Sequence, residues 1–188
     1  MAAAIVINAI QCTIMKRFKR MLKRIFVVGL IMLIIGFVLP HPKHMPVKGA
    51  STADYHPESF WYYPWGKSVT HKGVDVFSPT GTEVQAATYG LVVFSGNFSM
   101  GGNVVLVLGP KWRLHYYAHL HNRQVDAFEV VHTGEQIGSV GATGNAAGKP
   151  PHLHYSIYSI IPLPWRIDNA PQGYKKAFFL NPIDFIAE

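Results

Sequence analysis

The sequence predicts an all-β domain preceded by one N-terminal membrane helix. From residue 60 onward, short runs of β-branched and aromatic residues are separated by glycine and proline turn signals, which is typical of strands. No stretch of that region has a sustained helical period. Upstream, residues 25–39 form an uninterrupted apolar run that ends at Pro40. With 188 residues, the chain has room for one domain of ordinary size plus this extension.

The apolar run at residues 25–39 is expected to be a retained membrane anchor. Its fifteen residues are fewer than the ~20 that span a bilayer, and they match the upper length of a signal-peptide core. However, Met21 and Leu22 lengthen the span if Lys23 and Arg24 extend their charged ends to the interface. No clean small-x-small cleavage site follows. Secretion after signal cleavage is the alternative.

A basic block precedes the apolar run and predicts its orientation. Six of the seventeen Lys and Arg residues lie between positions 16 and 24. Positive charge collects on the cytoplasmic side of membrane helices. We therefore expect residues 1–24 in the cytoplasm, a single pass through the inner (cytoplasmic) membrane, and a periplasmic or otherwise extracytoplasmic remainder. Because residues 1–14 are apolar and a more conventional basic start follows, we also expect translation to begin at Met15 or Met21.

The remaining composition excludes several classes of function. After residue 24 there are eleven basic and ten acidic residues, so no broad basic face indicates a nucleic-acid partner. The single cysteine, Cys12, precedes the apolar run, which excludes an internal disulfide and a cysteine protease. No Gly-x-Ser-x-Gly motif occurs. Gly148-Lys149 resembles the end of a phosphate-binding loop but is followed by Pro150.

Residues 40–57 are expected to be a linker, because they are rich in proline and histidine and lack a hydrophobic period. The histidines of this segment, His41, His44 and His56, are not expected to bind a metal, since a flexible segment preorganises no site. An aromatic cluster follows at residues 60–65. We expect it to pack the first strand against the sheet, because aromatic side chains dominate core burial. Stacking on a substrate is the alternative.

Seven strands are predicted in the remaining chain. They lie at residues 74–77, 83–86, 89–95, 103–108, 113–120, 136–140 and 152–158. A faint internal repeat relates residues 80–84 to residues 133–137. After the last strand, residues 165–176 are expected to form an irregular loop, and residues 178–186 to return apolar side chains to the body of the domain.

Two short stretches contain the side chains that indicate chemistry. Side chains alternate faces along a strand, so His152 and His154 point the same way, about 7 Å apart. His71 and Asp75 also share a face, because an offset of four is even on a strand and about one turn on a helix. Gly73 favours a short strand entered from a loop. Together the stretches offer two imidazoles and a carboxylate to one divalent metal, with a further imidazole beside it. Such a set with an open fourth position is typical of catalytic zinc.

Three motifs follow one another along the chain: His71-x-x-x-Asp75, then Tyr117-Ala118-His119-Leu120, then Pro151-His152-Leu153-His154-Tyr155. In this order they resemble the M23 family of zinc metallopeptidases, the lysostaphin/LytM-type peptidoglycan endopeptidases. The similarity runs from about residue 66 to about residue 183. One departure is Lys149-Pro150-Pro151, where many relatives have a shorter Gly-Pro. The resemblance implies a fold of the duplicated hybrid motif type, an antiparallel sheet sandwich with a groove, over residues 58–188.

The resemblance also implies roles for five residues. His71, Asp75 and His154 would bind Zn²⁺, while His119 and His152 would be unliganded catalytic histidines. Zinc lowers the pKa of a bound water to about 7, and peptide hydrolysis further needs a proton acceptor and a proton donor, both of which imidazole can be. We favour His152 as the base and His119 as the group that stabilises the oxyanion.

The expected function is zinc-dependent hydrolysis of peptide cross-links in bacterial peptidoglycan, with stem peptides as substrate. The alternative is a non-catalytic peptidoglycan-binding regulator or activator of another cell-wall hydrolase; such relatives typically lack some metal residues, and this chain lacks none. His115 and His121 are expected on the groove wall or surface, and His132 in a turn. Specificity is expected to lie in the loops at residues 97–102 and 144–151.

Overall fold

The computed structural model describes residues 2–186, and the chain divides into two compact units, one ending at Leu39 and one beginning at Pro40. The first unit is a single helix, α1 (Ala2–Val38). Within it, Ile14–Val38 is long and apolar enough to cross a membrane by length and composition, a property that N-terminal signal sequences share. The large apolar side chains of this span are exposed, which suits a lipid environment better than water.

The second unit is built from ten short strands within the described residues. They are β1 (Val74–Phe77), β2 (Glu83–Gln85), β3 (Gly90–Phe98), β4 (Gly102–Gly109), β5 (Arg113–Leu120), β6 (Asn122–Arg123), β7 (Val130–Val131), β8 (Gln136–Ser139), β9 (His152–Ser159) and β10 (Phe179–Leu180). A four-residue helix, α2 (Ile183–Ile186), and several single 3₁₀ turns complete the unit. The predicted all-β class is confirmed.

The strands form two antiparallel sheets. The larger sheet has the order β1-β9-β5-β4-β3-β7, with β10 also pairing with β9. The smaller sheet has the order β2-β8-β6. All seven predicted strands are present, with ends that differ by no more than three residues. The strands that sequence reasoning missed, β6, β7 and β10, have two residues each, too few to show a period.

The hydrophobic core joins both sheets. Val84 and Ile137 from the smaller sheet are fully buried in one cluster with Val105 and Leu153 from the larger sheet. The weak internal repeat corresponds to the strands β2 and β8, which pair with each other and each follow a turn with a glycine at positive φ, +94° at Gly81 and +80° at Gly134. The predicted sandwich is thus held together by facing apolar side chains of the two sheets.

Residues 40–57 differ from the predicted linker, because they pack against the domain. Val47 is fully buried in the core and forms an isolated bridge with Val84 at the free edge of β2. The backbone N–H of Lys48 donates to the carbonyl of Glu83 at 3.1 Å. The ring of His41 lies 4.7 Å from that of Phe185. Single contacts of this kind leave no periodic pattern in the sequence, which is why the segment resembled a linker.

The aromatic cluster at residues 60–65 splits between the core and the surface. Trp61 is 9% exposed and donates from its indole N–H to the carbonyl of Pro171 at 3.0 Å. Tyr62 and Tyr63 are about half exposed, and none of the six residues belongs to one of the ten strands. The expected packing is therefore realised from a loop rather than a strand, by Trp61 and by the partly buried Phe60, which packs against the core. Residues 165–176 are irregular apart from 3₁₀ turns, as predicted.

Candidate metal centre

The central strand β9 presents polar side chains on one face and apolar side chains on the other. His152, His154 and Ser156 alternate with Leu153 and Tyr155, both of which are fully buried in the core. In the antiparallel register, β1 places Asp75 opposite His154. The period of two therefore brings the first and last sequence motifs together on one face of the sheet.

His71 reaches the same face from the loop that enters β1. This loop passes very close to β9: a Cβ on Gly73 would lie 2.5 Å from the Tyr155 carbonyl oxygen and 2.8 Å from Cε1 of His154. Only glycine fits such an approach. The missing side chain at position 73 therefore allows His71 to lie beside His154.

The three predicted ligand atoms converge. His71 Nε2 lies 3.1 Å from both Asp75 Oδ1 and His154 Nδ1, and His154 Nδ1 lies 2.7 Å from Asp75 Oδ1. Ligands about 2.0 Å from a tetrahedral zinc are about 3.3 Å from one another. The observed triangle is therefore close to the size that Zn²⁺ requires, and two imidazoles with one carboxylate are donors that zinc accepts.

Hydrogen bonds behind the cluster orient both imidazole ligands. The Nδ1–H of His71 donates to the carbonyl of Ser59 at 2.9 Å, and the Nε2–H of His154 donates to Ser156 Oγ at 3.0 Å. Each ring therefore keeps its lone pair on the nitrogen that faces the cluster. This is the outer shell that metal-binding histidines usually have.

Asp75 is charged despite its burial. Burial alone would raise the pKa of its carboxyl. In the metal-free protein, however, His154 and His71 can take up a proton on the nitrogens that face Asp75, and the resulting hydrogen bonds and positive charges hold that pKa well below its usual range. The carboxylate is thus already in the form that a cation needs.

His119 reaches the groove through a β-bulge. Regular alternation along β5 would place it on the core face with His115 and Tyr117, which are fully buried. Instead, the pairing of β5 with β4 shifts register next to it, and His119 has a φ of +64°. Thr143 supports the bulge, since its Oγ1 donates to the Leu120 carbonyl at 2.9 Å. The bulge turns the His119 ring towards the metal cluster.

His119 and His152 each direct their Nε2 atom into the groove. The Nδ1–H of His119 donates to the Thr143 carbonyl at 2.9 Å, and the Nδ1–H of His152 donates to the Pro150 carbonyl at 2.8 Å. Their ring centroids are 5.0 Å apart. Burial, followed by the charges of His154 and His152, lowers the pKa of His119 to about 4. Its Nε2 therefore carries a lone pair at neutral pH.

All five predicted residues line a single open groove of about 650 Å³. Two further aromatic residues line the groove: Tyr116, which sequence reasoning missed, and Trp65, for which substrate stacking was only the alternative. The ring of Trp65 lies 4.4 Å from that of His71, and the ring of Tyr116 lies 6.2 Å from that of His154. Even parity with Ala118 along β5 is the signal that identifies Tyr116. Trp65 has no periodic signal, because it lies in a loop.

The remaining histidines lie outside the cluster. His115 is fully buried in the core, so its predicted location on the groove wall or surface is wrong. Its Nδ1 lies 2.6 Å from the Tyr155 hydroxyl. His121 is exposed, and His132 is in an exposed turn where its backbone N–H donates to Glu135 at 2.8 Å. His44 contacts Gln85 rather than another histidine.

Known proteins resemble this chain in sequence and in fold. The profile of peptidase family M23 matches residues 69–165. The chain is 33% identical over 127 residues to the L-Ala–D-Glu endopeptidase of Bacillus subtilis, which covers 63% of this chain and 38% of that relative. The chain thus spans well under half the length of this curated relative.

Two solved structures have the same fold. The catalytic domain of the antimicrobial peptidase lysostaphin from Staphylococcus simulans matches with a TM-score of 0.55 and 27% identity, over 69% of this chain and 90% of that domain. A zinc-containing peptidase from Vibrio cholerae matches with a TM-score of 0.52 and 26% identity, over 63% of this chain and 36% of that one.

Proposed function

Since the chain belongs to peptidase family M23, we propose that it is a zinc-dependent endopeptidase that hydrolyses peptide cross-links of bacterial peptidoglycan. The observation that supports this most directly is the convergence of His71 Nε2, Asp75 Oδ1 and His154 Nδ1 in one groove, beside two imidazoles that are not part of that triangle. The printed names of the relatives agree, since one is an endopeptidase of an L-Ala–D-Glu bond and another is a zinc-containing peptidase.

His71, Asp75 and His154 would hold the metal. When bound there, zinc supplies Lewis-acid polarisation of a peptide carbonyl and lowers the pKa of a water molecule to about 7. The chain's own residues then handle protons. His152 is the proposed base, because its Nε2 lies 4.0 Å from Asp75 Oδ2 and is thus near the ligand triangle. A neutral imidazole that accepts the proton of water becomes the donor for the leaving amine.

His119 is the proposed stabiliser of the tetrahedral oxyanion. Its Nδ1–H is held by the Thr143 carbonyl, so a proton taken up at Nε2 would point into the groove. Negative charge developing on the substrate oxygen favours that protonated form, although burial disfavours it in the free enzyme. In this proposal His152 transfers the proton from water to the leaving amine, and His119 stabilises the charge on the substrate oxygen.

An extended stem peptide is the proposed occupant of the groove, which is open and lined by backbone and side-chain polar groups. The proposed location follows from α1. With the basic block at residues 16–24 in the cytoplasm, the apolar remainder of Ile14–Val38 would cross the inner membrane once and hold the peptidase unit on the periplasmic side. Alkaline extraction of membranes and the mass of the mature N-terminus distinguish this anchor from a cleaved signal, which would release a soluble, shorter chain.

Digestion of purified sacculi by the full chain in nonionic detergent tests the function. Released muropeptides are identified by mass, with and without a chelator and with zinc added back. We expect loss of cross-linked dimers, abolished by the chelator and restored by zinc, and the masses identify the bond that is cut. Intact sacculi together with stoichiometric bound zinc would contradict the proposal and favour a non-catalytic regulator.

Variants separate metal binding from proton transfer. His71→Ala should lose bound zinc and activity together, because two ligands hold zinc poorly. His119→Ala should keep zinc while turnover falls by about 100-fold or more. His121→Ala, at an exposed position outside the groove, is the matched control. Full activity of His71→Ala would show that the ligand assignment is wrong.

A further inference from the structure

The groove has a strongly asymmetric set of charged residues. Four lysines line it, at positions 67, 72, 149 and 175, whereas Asp75 is its one carboxylate among the described residues. After residue 24 the whole chain has eleven basic and ten acidic residues. More than a third of these basic residues therefore line one groove, although the domain as a whole is nearly neutral.

These lysines lack carboxylate partners. Within residues 2–186, no ion pair joins Lys67, Lys149 or Lys175 to an acidic side chain. Elsewhere on the domain, Lys48 pairs with Glu83 at 2.9 Å and Lys176 pairs with Asp168. No ion pair joins Asp75 to a lysine within the described residues; its Oδ1 contacts His71 and His154, and its Oδ2 lies 4.0 Å from His152 Nε2. The positive charge of the groove is thus uncompensated inside the protein.

Two sets of loops supply the lysines. Lys67 lies in the turn Gly66–Ser68 and Lys175 in the turn Gly173–Ala177. These segments are tied together, since Thr70 Oγ1 donates to Gln172 Oε1 at 3.2 Å. Between them, Lys72 donates to the carbonyls of Ser68 and Thr70, so its ammonium is fixed in place.

Lys149 belongs to the other set, in the loop that leads into β9. This loop is joined to the turn before β4 by the bond from Asn145 N–H to the Met100 carbonyl, 2.9 Å long. Lys149 is exposed, and the next residue, Pro150, provides the carbonyl that orients His152. Lys149 therefore lines the same groove as the proposed base, His152, three residues away along the chain.

We infer that the groove selects peptides with free carboxylates beside the scissile bond, and that Lys67, Lys149 and Lys175 bind those carboxylates. This inference rests on the proposed peptidase function and specifies its substrate class. Lys175 Nζ lies 5.8 Å from the centroid of the Tyr174 ring, but a ring does not neutralise its charge. Ammonium groups without a carboxylate partner form charge-assisted hydrogen bonds with an incoming carboxylate, and the field of several positive charges is strongest in a concave site. A neutral peptide of equal length would leave these ammonium groups without an anionic partner.

Paired substrates test the inference. Soluble cross-linked muropeptides are used with their carboxylates free, or converted to amides with carbodiimide and ammonia. For the zinc-loaded full chain in nonionic detergent we expect kcat/KM to be at least tenfold higher for the acid form. Each of Lys149→Gln and Lys175→Gln should reduce this preference about five-fold, mainly through KM. High salt should reduce it as well, because exposed charges are screened.

Two control variants test whether the positive charge and its position in the groove are responsible. Lys48→Gln removes an exposed lysine outside the groove and should leave the acid preference unchanged. Lys149→Arg retains the charge and should restore most of the preference. Equal kcat/KM for acid and amide substrates, or an unchanged preference in the double variant Lys149→Gln/Lys175→Gln, would overturn the inference.

Direct binding distinguishes a failed inference from a failed function. Calorimetry with the acid and amide muropeptides measures affinity without turnover. If neither substrate is cleaved but the acid form binds more tightly and loses this advantage in the double variant, the peptidase function fails while the carboxylate preference stands. If both forms bind equally, the carboxylate preference is wrong whether or not cleavage occurs.

Discussion

At the scale of single residues, the candidate metal centre depends on residues other than the three proposed ligands. Gly73 permits the contact between two chain segments, and Ser156 offers a hydrogen-bond partner to the outward nitrogen of His154. Neither residue is one of the three proposed ligands. Because zinc affinity depends on the placement and protonation of its ligands, we expect both positions to be as sensitive as the ligands themselves.

Gly73→Ala is expected to disrupt the centre. The new Cβ would lie 2.5 Å from the Tyr155 carbonyl oxygen, which cannot move without shifting β9. We expect zinc affinity to fall at least tenfold and unfolding free energy to fall by about 1–3 kcal/mol. Gly49→Ala is the control: φ is +75° there, but no atom lies within 4 Å. It should cost about 1–2 kcal/mol of strain and leave zinc affinity unchanged. Wild-type zinc affinity in Gly73→Ala would refute the close approach.

Ser156→Ala is expected to weaken zinc binding without removing a ligand. The Nε2–H of His154 loses its acceptor at 3.0 Å, so the ring can rotate and change tautomer. We expect zinc affinity to fall about 10–100-fold, measured by competition with a chromophoric chelator. Ser139→Ala, a buried serine of β8 that donates to Asn122 instead, serves as the control. Equal zinc affinities in the two variants would mean that Ser156 has no role in orienting His154.

At the scale of elements, β9 organises both the core and the centre. One edge of β9 pairs with β1 and the other with β5, so the strands that bear Asp75, His154 and His119 are neighbours. Alternation along β9 separates its metal face from its core face. A packing defect on the core face of β9 is therefore expected to disturb the candidate centre as well.

The segment before the first 3₁₀ turn acts as a further element of the fold. Val47 is fully buried against the edge of β2, so Val47→Ala should lower the unfolding free energy by about 2 kcal/mol. Urea denaturation of the full chain measures this. Val130→Ala, on an exposed strand position, should change stability by less than about 0.5 kcal/mol. An equally small effect at Val47 would show that the segment is a free linker after all.

At the scale of the whole unit, a partly buried series of hydrogen bonds connects the segment after α1 to the core of the large sheet. Arg113 donates to His41 Nδ1 at 3.2 Å, and His41 Nε2 lies 3.4 Å from His115 Nε2. His115 in turn contacts the Tyr155 hydroxyl at 2.6 Å through Nδ1. Every contact is satisfied when both rings are neutral, with His41 donating to His115 and His115 donating to Tyr155.

From these hydrogen bonds we predict that the protein loses stability in mild acid. Burial, with the charges of Arg113, Lys111 and Lys43, lowers the pKa of His41 to about 4, and burial also holds the pKa of His115 well below its usual value. In the unfolded chain both histidines have a pKa of about 6.5. Below about pH 6.5 the unfolded chain therefore binds more protons than the folded chain, so the unfolding free energy falls as the pH decreases. The slope for His115 approaches about 1.4 kcal/mol per pH unit.

Urea denaturation of the metal-free full chain at pH 7.5, 5.5 and 4.5 checks this prediction. His115→Phe should be less stable than wild type at pH 7.5, because the bond to Tyr155 is lost, but its stability should vary less with pH. His121→Gln controls for the loss of an exposed histidine. A slope in His115→Phe as steep as in wild type would exclude His115 as its source.

The sequence by itself determined the class of the fold and the identity of the candidate ligands. Both depend on local information: a period of two gives strands such as β9 and places His152 and His154 on one face, and His71-x-x-x-Asp75 is a spacing within five residues. Strict alternation along β5 puts His115 and His119 on the same face of the sheet. In the structure they separate, because a bulge turns His119 into the groove while His115 stays in the core. Bulges depend on the partner strand and on supports such as Thr143, and these are distant in sequence.

The tertiary structure alone decided which distant residues meet. The register of β1 and β5 on β9 brings Asp75, His119 and His154 into one groove, and loops far apart in sequence bring Lys149 and Lys175 to its walls. The packing of Val47 on β2 was equally hidden, since one buried valine between prolines has no period. Sequence patterns show on which face of its own strand or helix a residue lies. Whether residues from different strands and loops meet in one site depends on how those elements pair and pack, and pairing and packing involve the whole chain.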